Sequence, residues 1–102
     1  VTILPNIKSI HFIGIGGTAM AAVAAALQEK GFAVSGSDHN IYPPMSTFLA
    51  AKKIEVMPAY AESNLSGKPD LVVVGNAISR GNPEAEVVLE QKLRYCSLPE
   101  LL

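Results

Sequence analysis

The 102-residue sequence has no tryptophan, a single cysteine (Cys96), only 6% aromatic residues and only 17% charged ones. One cysteine cannot close an internal disulfide, so nothing in the composition calls for an oxidising compartment, and a cytoplasmic protein is expected. Eight Lys and Arg against nine Asp and Glu give a formal net charge of -1. Without a positive excess there is no electrostatic footprint for nucleic acid or an anionic membrane surface. Long apolar runs are missing as well, because Gly, Lys, Glu or Ser interrupts every stretch before the roughly 18 to 20 residues that a bilayer span needs. What is present is 49% hydrophobic, mostly Ala, Val, Ile and Leu, a composition suited to a buried parallel sheet. The length corresponds to about one domain. The chain opens on Val1 without an initiator Met, and Ser97-Leu98-Pro99-Glu100 reads as a capping box starting an apolar helix at Leu101 and Leu102. A fragment of a longer protein is therefore expected.

Ser9 to Ile15 is a short apolar run ending in glycine, and Met20, Val23, Ala24 and Leu27 follow at helical spacing, which predicts strand, tight turn and helix. Gly31 is placed to leave that helix in the left-handed conformation. Phe32 to Gly36 reads as a second strand. Asn40-Ile41-Tyr42-Pro43-Pro44 is expected to be extended, because proline pushes its predecessor out of the helical region. Met45 to Lys53 follows as a short amphipathic helix and Ile54 to Met57 as a third strand. Pro58 to Pro69 reads as loop, and Asp70-Leu71-Val72-Val73-Val74-Gly75 is the clearest buried strand. Asn82 is placed as an N-cap with Pro83 in the first helical turn and Glu84 and Glu86 near the positive end of the helix dipole. The helix Pro83 to Lys92 leads into a fifth strand, Leu93 to Ser97. This alternation predicts an α/β, Rossmann-like, three-layer fold with a five-stranded parallel sheet in the order 3-2-1-4-5. The switch point then lies between the first and fourth strands, with Gly14 to Thr18 and Gly75 to Ser79 on opposite walls of a crevice where ligands bind.

Gly14-Ile15-Gly16-Gly17-Thr18-Ala19 fits the pattern G-x-G-x-x-A between a strand and a helix. In that context Gly14 permits the turn, Gly16 lets backbone approach a diphosphate, and Ala19 is small enough for helix and strand to pack. The N–H groups of Gly17, Thr18 and Ala19 would offer donors and a positive dipole end to the anion. Asp38 lies 24 residues after Gly14, where an acid accepts hydrogen bonds from a ribose or base; as Asp38-His39-Asn40 it could equally serve a turn. Asn76 stands at the end of the fourth strand, whereas Arg80 reads as a solvated loop residue. The residues alone thus specify a nucleotide diphosphate of unspecified base. A nicotinamide-binding dehydrogenase domain satisfies the same pattern. His11, inside a strand, reads as a hydrogen-bonded core histidine and His39 as a loop residue. Cys96 reads as an inert buried thiol, and Met20 and Met57 as core. Tyr42 and Met45 frame the two prolines. No spacing of His, Cys, Asp and Glu nominates a metal site.

The wording of the motifs resembles the N-terminal domain of the Mur ligases, ATP-dependent enzymes that join amino acids or peptides to UDP-N-acetylmuramate. His11-Phe12-Ile13-Gly14-Ile15-Gly16-Gly17-Thr18-Ala19-Met20 and Val34-Ser35-Gly36-Ser37-Asp38 are similar to the members that add L-alanine and to their relatives. Tyr42-Pro43-Pro44-Met45-Ser46-Thr47 and Gly75-Asn76-Ala77-Ile78-Ser79-Arg80-Gly81-Asn82-Pro83 resemble the murein peptide ligase branch, which attaches L-alanyl-γ-D-glutamyl-meso-diaminopimelate in peptidoglycan recycling. The resemblance covers nearly the whole chain. It implies that Gly16, Gly17 and Thr18 contact the diphosphate, with Gly14 and Ala19 in the same UDP-binding set, Asp38 by the uridine, and Asn76, Ala77 and Ile78 across the crevice. It also implies ATP and Mg in the full-length enzyme. The family's ATP loop, G-T-x-G-K-[ST], is not in these 102 residues, since the one Gly-Lys pair, Gly67-Lys68, is followed by Pro69. The expectation is a UDP-binding domain, residues 1-102, inactive alone, with the ATP and tripeptide sites in other domains.

Overall fold

The computed structural model describes residues 7–39, 41–75, 78 and 81–98. Its elements are β1 (Ser9–Ile13), α1 (Thr18–Glu29), β2 (Ala33–Ser37), α2 (Met45–Ala51), β3 (Glu55–Met57), a 3-10 turn (Glu62–Leu65), β4 (Leu71–Val74), α3 (Pro83–Glu90) and β5 (Tyr95–Ser97). The five strands form one sheet in the order β3-β2-β1-β4-β5, all parallel, as the alternation of strands and helices predicts. Pairing of Ile10 with Leu71 and of Ile13 with Val74 places β4 directly beside β1. The chain reverses its direction of winding there, so a crevice opens beyond the ends of these two strands.

Because side chains alternate across a strand, β1 feeds both layers. Ile10 and Phe12 join a core with Met20, Ala21, Ala24, Leu27, Leu49 and Val73, under α1 and α2. On the other side Ile13 and Val72 pack with Leu65, Val87 and Val88, under α3 and the 3-10 turn. Phe12, Ile10 and Ile13 are fully buried, and each such side chain contributes about 1.5 to 3 kcal/mol relative to exposure.

The helix exits follow one pattern. Phe32, Ile54 and Leu93 donate their N–H groups back to the carbonyls of Leu27, Leu49 and Val88, five residues earlier, and the preceding residues donate to Gln28, Ala50 and Leu89. This is the Schellman arrangement, with an apolar residue at both ends of the long bond. It requires a left-handed residue after each helix, supplied by Gly31 (φ 103), Lys53 (φ 61) and Lys92 (φ 55). Only the first of these carries the sequence signal, glycine.

Two expectations are corrected. The Pro58 to Pro69 stretch is not all loop, because Glu62–Leu65 forms the 3-10 turn, whose Leu65 is buried. Nor does the proline pair stay extended: Pro43 and Pro44 form a turn with a cis peptide bond between them, and Pro44 (φ -82, ψ -11) serves as the N-cap of α2. Proline's restricted φ suits the start of a helix, where its missing N–H costs nothing.

Candidate functional site

The loop after β1 is built from the backbone outward. Gly14 adopts φ +87, as its turn requires. The N–H groups of Gly14 and Ile15 both donate to the Ser37 carbonyl, at 2.8 and 3.1 Å, so the loop hangs on the end of β2. Gly16 donates its N–H to Asp38 Oδ2 at 2.8 Å. A Cβ on Gly16 would lie 2.7 Å from that same oxygen. Glycine is therefore needed here by the Asp38 carboxylate itself, a reason that spacing alone did not supply. Asp38 does sit beside the glycine loop, as expected.

Thr18 and Ala19 begin α1, and both are exposed. Gly17 is the N-cap with extended backbone, and among the described residues no side chain caps the helix. Its first intrahelical bond runs from Ala21 N–H to Gly17 O at 2.8 Å. The positive end of α1 thus faces the crevice with backbone donors rather than cationic side chains. Two details differ from the motif reading. Ala19 does not pack between helix and strand; that contact is made by Ala21 and Ala24, 1% and 0% exposed, because the helix turns residue 19 outward. And the Gly17 N–H already has a long contact of 3.4 Å to the Gly14 carbonyl, which leaves the first turn of α1 as the main donor set.

Across the crevice, Gly75 donates to the Ile13 carbonyl at 3.0 Å and Ile78 to the Gly75 carbonyl at 3.1 Å. Ile78 Cδ1 would be 3.4 Å from a Cβ on Gly14, so the two walls meet. Asn76, Ala77, Ser79 and Arg80 lie outside the described residues, as does the Pro99 to Leu102 part of the expected capping box.

Three contributions to the site were not read from the sequence. Gly36 in β2 makes room for Ile15, whose atoms would be 2.4 to 2.9 Å from a Cβ there. Tyr60 brings its hydroxyl close to the Asp38 carboxylate, and its ring packs on His39 with centroids 5.3 Å apart. Burial, then the nearby carboxylates of Asp38 and Glu84, push the Tyr60 hydroxyl up to about 12. Glu84 is the third. Asn82 caps α3 as expected, accepting from Glu84 N–H at 2.9 Å, and Glu86 accepts from Gly81 N–H. Glu84 stands in the first turn of α3, as expected, but is fully buried there. His11 Nε2 donates to its Oε1 at 2.8 Å and Ser37 Oγ at 2.7 Å; Asn64 Nδ2 and Ala61 N–H donate to Oε2 at 2.7 and 3.1 Å. Burial pushes this carboxyl up, but the four donors outweigh it and hold it below its usual range. His11 is the hydrogen-bonded core histidine that was expected, with Ser35 Oγ 2.9 Å from Nδ1. The signal for Glu84 was an acid facing a histidine across the fold, which needs the pairing of α3 with β1 to be known.

Among the described residues, no group of three His, Cys, Asp or Glu could hold a metal ion, and no helix is long and apolar enough to cross a membrane.

Comparison with known proteins gives this geometry a context. A family model described as the Mur ligase family, catalytic domain, matches residues 9–102. The UDP-N-acetylmuramate–L-alanyl-gamma-D-glutamyl-meso-2,6-diaminoheptandioate ligase of Haemophilus influenzae is 52% identical over 95 residues, 93% of this chain and 21% of that protein. Its Escherichia coli counterpart is 48% identical over 93 residues, 91% of this chain and 20% of that protein. A UDP-N-acetylmuramate–L-alanine ligase of a Psychrobacter species is 41% identical over 95% of this chain and 20% of its own length. Among solved structures, a murein peptide ligase from Psychrobacter arcticus superposes with a TM-score of 0.89 at 45% identity, over 93% of this chain and 20% of that one. The chain spans about a fifth of the length of the curated relatives it matches. The chain belongs to the Mur ligase family.

Proposed function

We propose that residues 1–102 form the UDP-N-acetylmuramate-binding domain of a murein peptide ligase, a cytoplasmic enzyme that joins L-alanyl-γ-D-glutamyl-meso-diaminopimelate to that nucleotide. The observation that carries this reading is the Gly16–Asp38 clamp beside an α1 N-terminus with no side-chain cap, at the sheet's switch point. Identities of 52% and 48% to ligases named for this substrate support it. In this reading the backbone of Gly14, Gly16, Gly17, Thr18 and Ala19 receives the diphosphate, and Asp38, already held by the Gly16 N–H, accepts from the ribose. Asn76, Ala77 and Ile78 close the other wall on the uridine.

The family model's description names a catalytic domain, but this stretch holds no G-T-x-G-K-[ST] loop and, among its described residues, no metal-ligating group. ATP and Mg do not fit the residues present. We assign their site, and that of the tripeptide, to other segments of the full-length protein, and no chemical step to this chain. An amide-resolved NMR titration with UDP-N-acetylmuramate and, separately, with NAD tests the proposal. Shifts at Gly14 to Ala19, Asp38 and Ile78 with the uridine nucleotide alone are expected; a response to NAD alone would overturn it in favour of a dehydrogenase-type domain. Asp38→Ala is expected to weaken uridine-nucleotide binding by about tenfold, the worth of a hydrogen bond to a charged group.

A further inference from the structure

Glu84 is linked to the glycine loop through Ser37 and to the neighbourhood of Asp38 through the 59–64 segment. On one side its Oε1 accepts from Ser37 Oγ at 2.7 Å. The carbonyl of that same Ser37 receives the Gly14 and Ile15 N–H groups that hang the loop on β2. On the other side Oε2 accepts from Ala61 N–H and from Asn64 Nδ2, and the same Asn64 amide donates to the Ala59 carbonyl at 2.8 Å. These bonds bracket Tyr60, whose hydroxyl reaches Asp38. His11, in the middle of β1, donates the fourth bond and fixes the carboxylate against the centre of the sheet. Asn82 fixes it from behind by capping the turn of α3 that carries it.

Saturation of the carboxylate makes the arrangement directional. Each oxygen accepts two donors, and the four come from three segments: β1, β2 and, at two points, the segment around the 3-10 turn. Helix-dipole stabilisation alone would leave the carboxylate at the surface of the first turn, where water satisfies it. Burial at 0% exposure is instead costly unless every lone pair is used, and here the donors are supplied by the segments that lead into the crevice.

We infer that Glu84 is a positioning residue for the candidate nucleotide site, holding the glycine loop through Ser37 and Asp38 through the 59–64 segment. This deepens the proposed function and rests on it for the ligand, though not for the geometry. It predicts that a change at Glu84 or Ser37 alters the crevice backbone locally before it alters the fold.

The test compares the wild-type chain with Glu84→Ala, Glu84→Gln and Ser37→Ala. Two quantities are read: hydrogen exchange at the Gly14, Ile15 and Gly16 amides without ligand, and affinity for UDP-N-acetylmuramate. The Gln variant is the conservative rescue, because its oxygen can accept from Ala61 and Asn64 while its amide donates to Ser37 and to the unprotonated Nε2 of the other His11 tautomer. Glu84→Ala and Ser37→Ala are expected to accelerate exchange at Gly14 and Ile15 and to weaken binding, each by about tenfold or less, with α1 interior amides unchanged and Glu84→Gln close to wild type. In the double variant the Ser37 effect should vanish, since its route through Glu84 is already cut. If Glu84→Ala does not fold, Ser37→Ala and Glu84→Gln decide. Loop amides that exchange at the wild-type rate in Ser37→Ala, or that accelerate only together with the whole chain, overturn the inference. So does unchanged affinity in variants of a wild type that binds. A wild type that fails to bind the nucleotide overturns the proposed function instead, and the exchange rates still judge the inference.

Discussion

The two ends of this parallel sheet are opposite in chemistry. At the carboxyl end, where the crevice lies, the described charged side chains are acids: Asp38, Glu62, Glu84 and Glu86. At the amino end, Lys8 and Arg94 precede strands, while Lys30, Lys52, Lys53, Lys68 and Lys92 follow helices or the 3-10 turn, interspersed with Glu29, Glu55, Asp70 and Glu90. Parallel topology aligns the helices so that their negative ends all point to the amino side, where cations complement them. Lys68, Lys92 and Arg94 even line a common cavity there. The difference teaches where the positive potential of the crevice comes from. Among the described residues it comes from peptide N–H groups and the α1 dipole rather than from side chains, which is why a candidate diphosphate site can exist in a chain of net charge -1.

If backbone geometry carries the crevice end, its glycines should be the most sensitive positions. Gly36→Ala puts a Cβ within 2.4 to 2.9 Å of Ile15, and a loss of about 1 to 3 kcal/mol is expected from overpacking, read as a shifted denaturant midpoint. Next, Gly16→Ala places a Cβ 2.7 Å from Asp38 Oδ2 and should separate loop from carboxylate. Binding of UDP-N-acetylmuramate is expected to fall by about 10- to 100-fold, measured by calorimetry, with a smaller effect on stability.

The acids of the crevice end also set a pH window. Glu84 has a lowered native pKa, so its contribution to stability is present above the ordinary carboxyl value of 4.5 and is lost as pH falls through its native value. Tyr60 has a raised one, so its contribution is complete below 10.0 and is lost as pH rises toward about 12. Thermal unfolding across both ranges checks this: Glu84→Gln should flatten the acid limb and Tyr60→Phe the alkaline one. The smallest effect is expected at the other end. Replacing Lys68, Lys92 and Arg94 together by Gln should change nucleotide affinity by less than about twofold at 0.15 M salt. A five-residue strand separates the two ends by about 16 Å, twice the Debye length. A large loss there would mean that side-chain charge, not backbone, draws the anion.

Much of the fold was legible because its cues are local. Apolar runs of strand length, Asn82-Pro83 at a helix start and Gly31 at a helix end each act within a few residues, and the order of the sheet follows from right-handed crossovers. Legibility failed where a residue did an unusual job. Lys53 and Lys92 take left-handed positions that sequence reading reserves for glycine, held there by the apolar pairs Leu49–Ile54 and Val88–Leu93 that close the Schellman bonds. Pro44 begins a helix rather than continuing an extended segment.

For the site, the sequence alone determined the glycine loop and the acid after β2, since both belong to one strand-turn-helix-strand unit whose geometry is fixed by chirality and steric rules. Only the tertiary structure decided what those residues do to each other. That Gly16 is glycine to admit the Asp38 carboxylate, that Gly36 yields to Ile15, and that Glu84 gathers donors from β1, β2 and the segment before β4 are contacts between residues 21 to 73 positions apart. No local pattern encodes a buried carboxylate with four donors. It exists because packing α3 across the sheet removes water from Glu84 and leaves other segments of the chain to replace it.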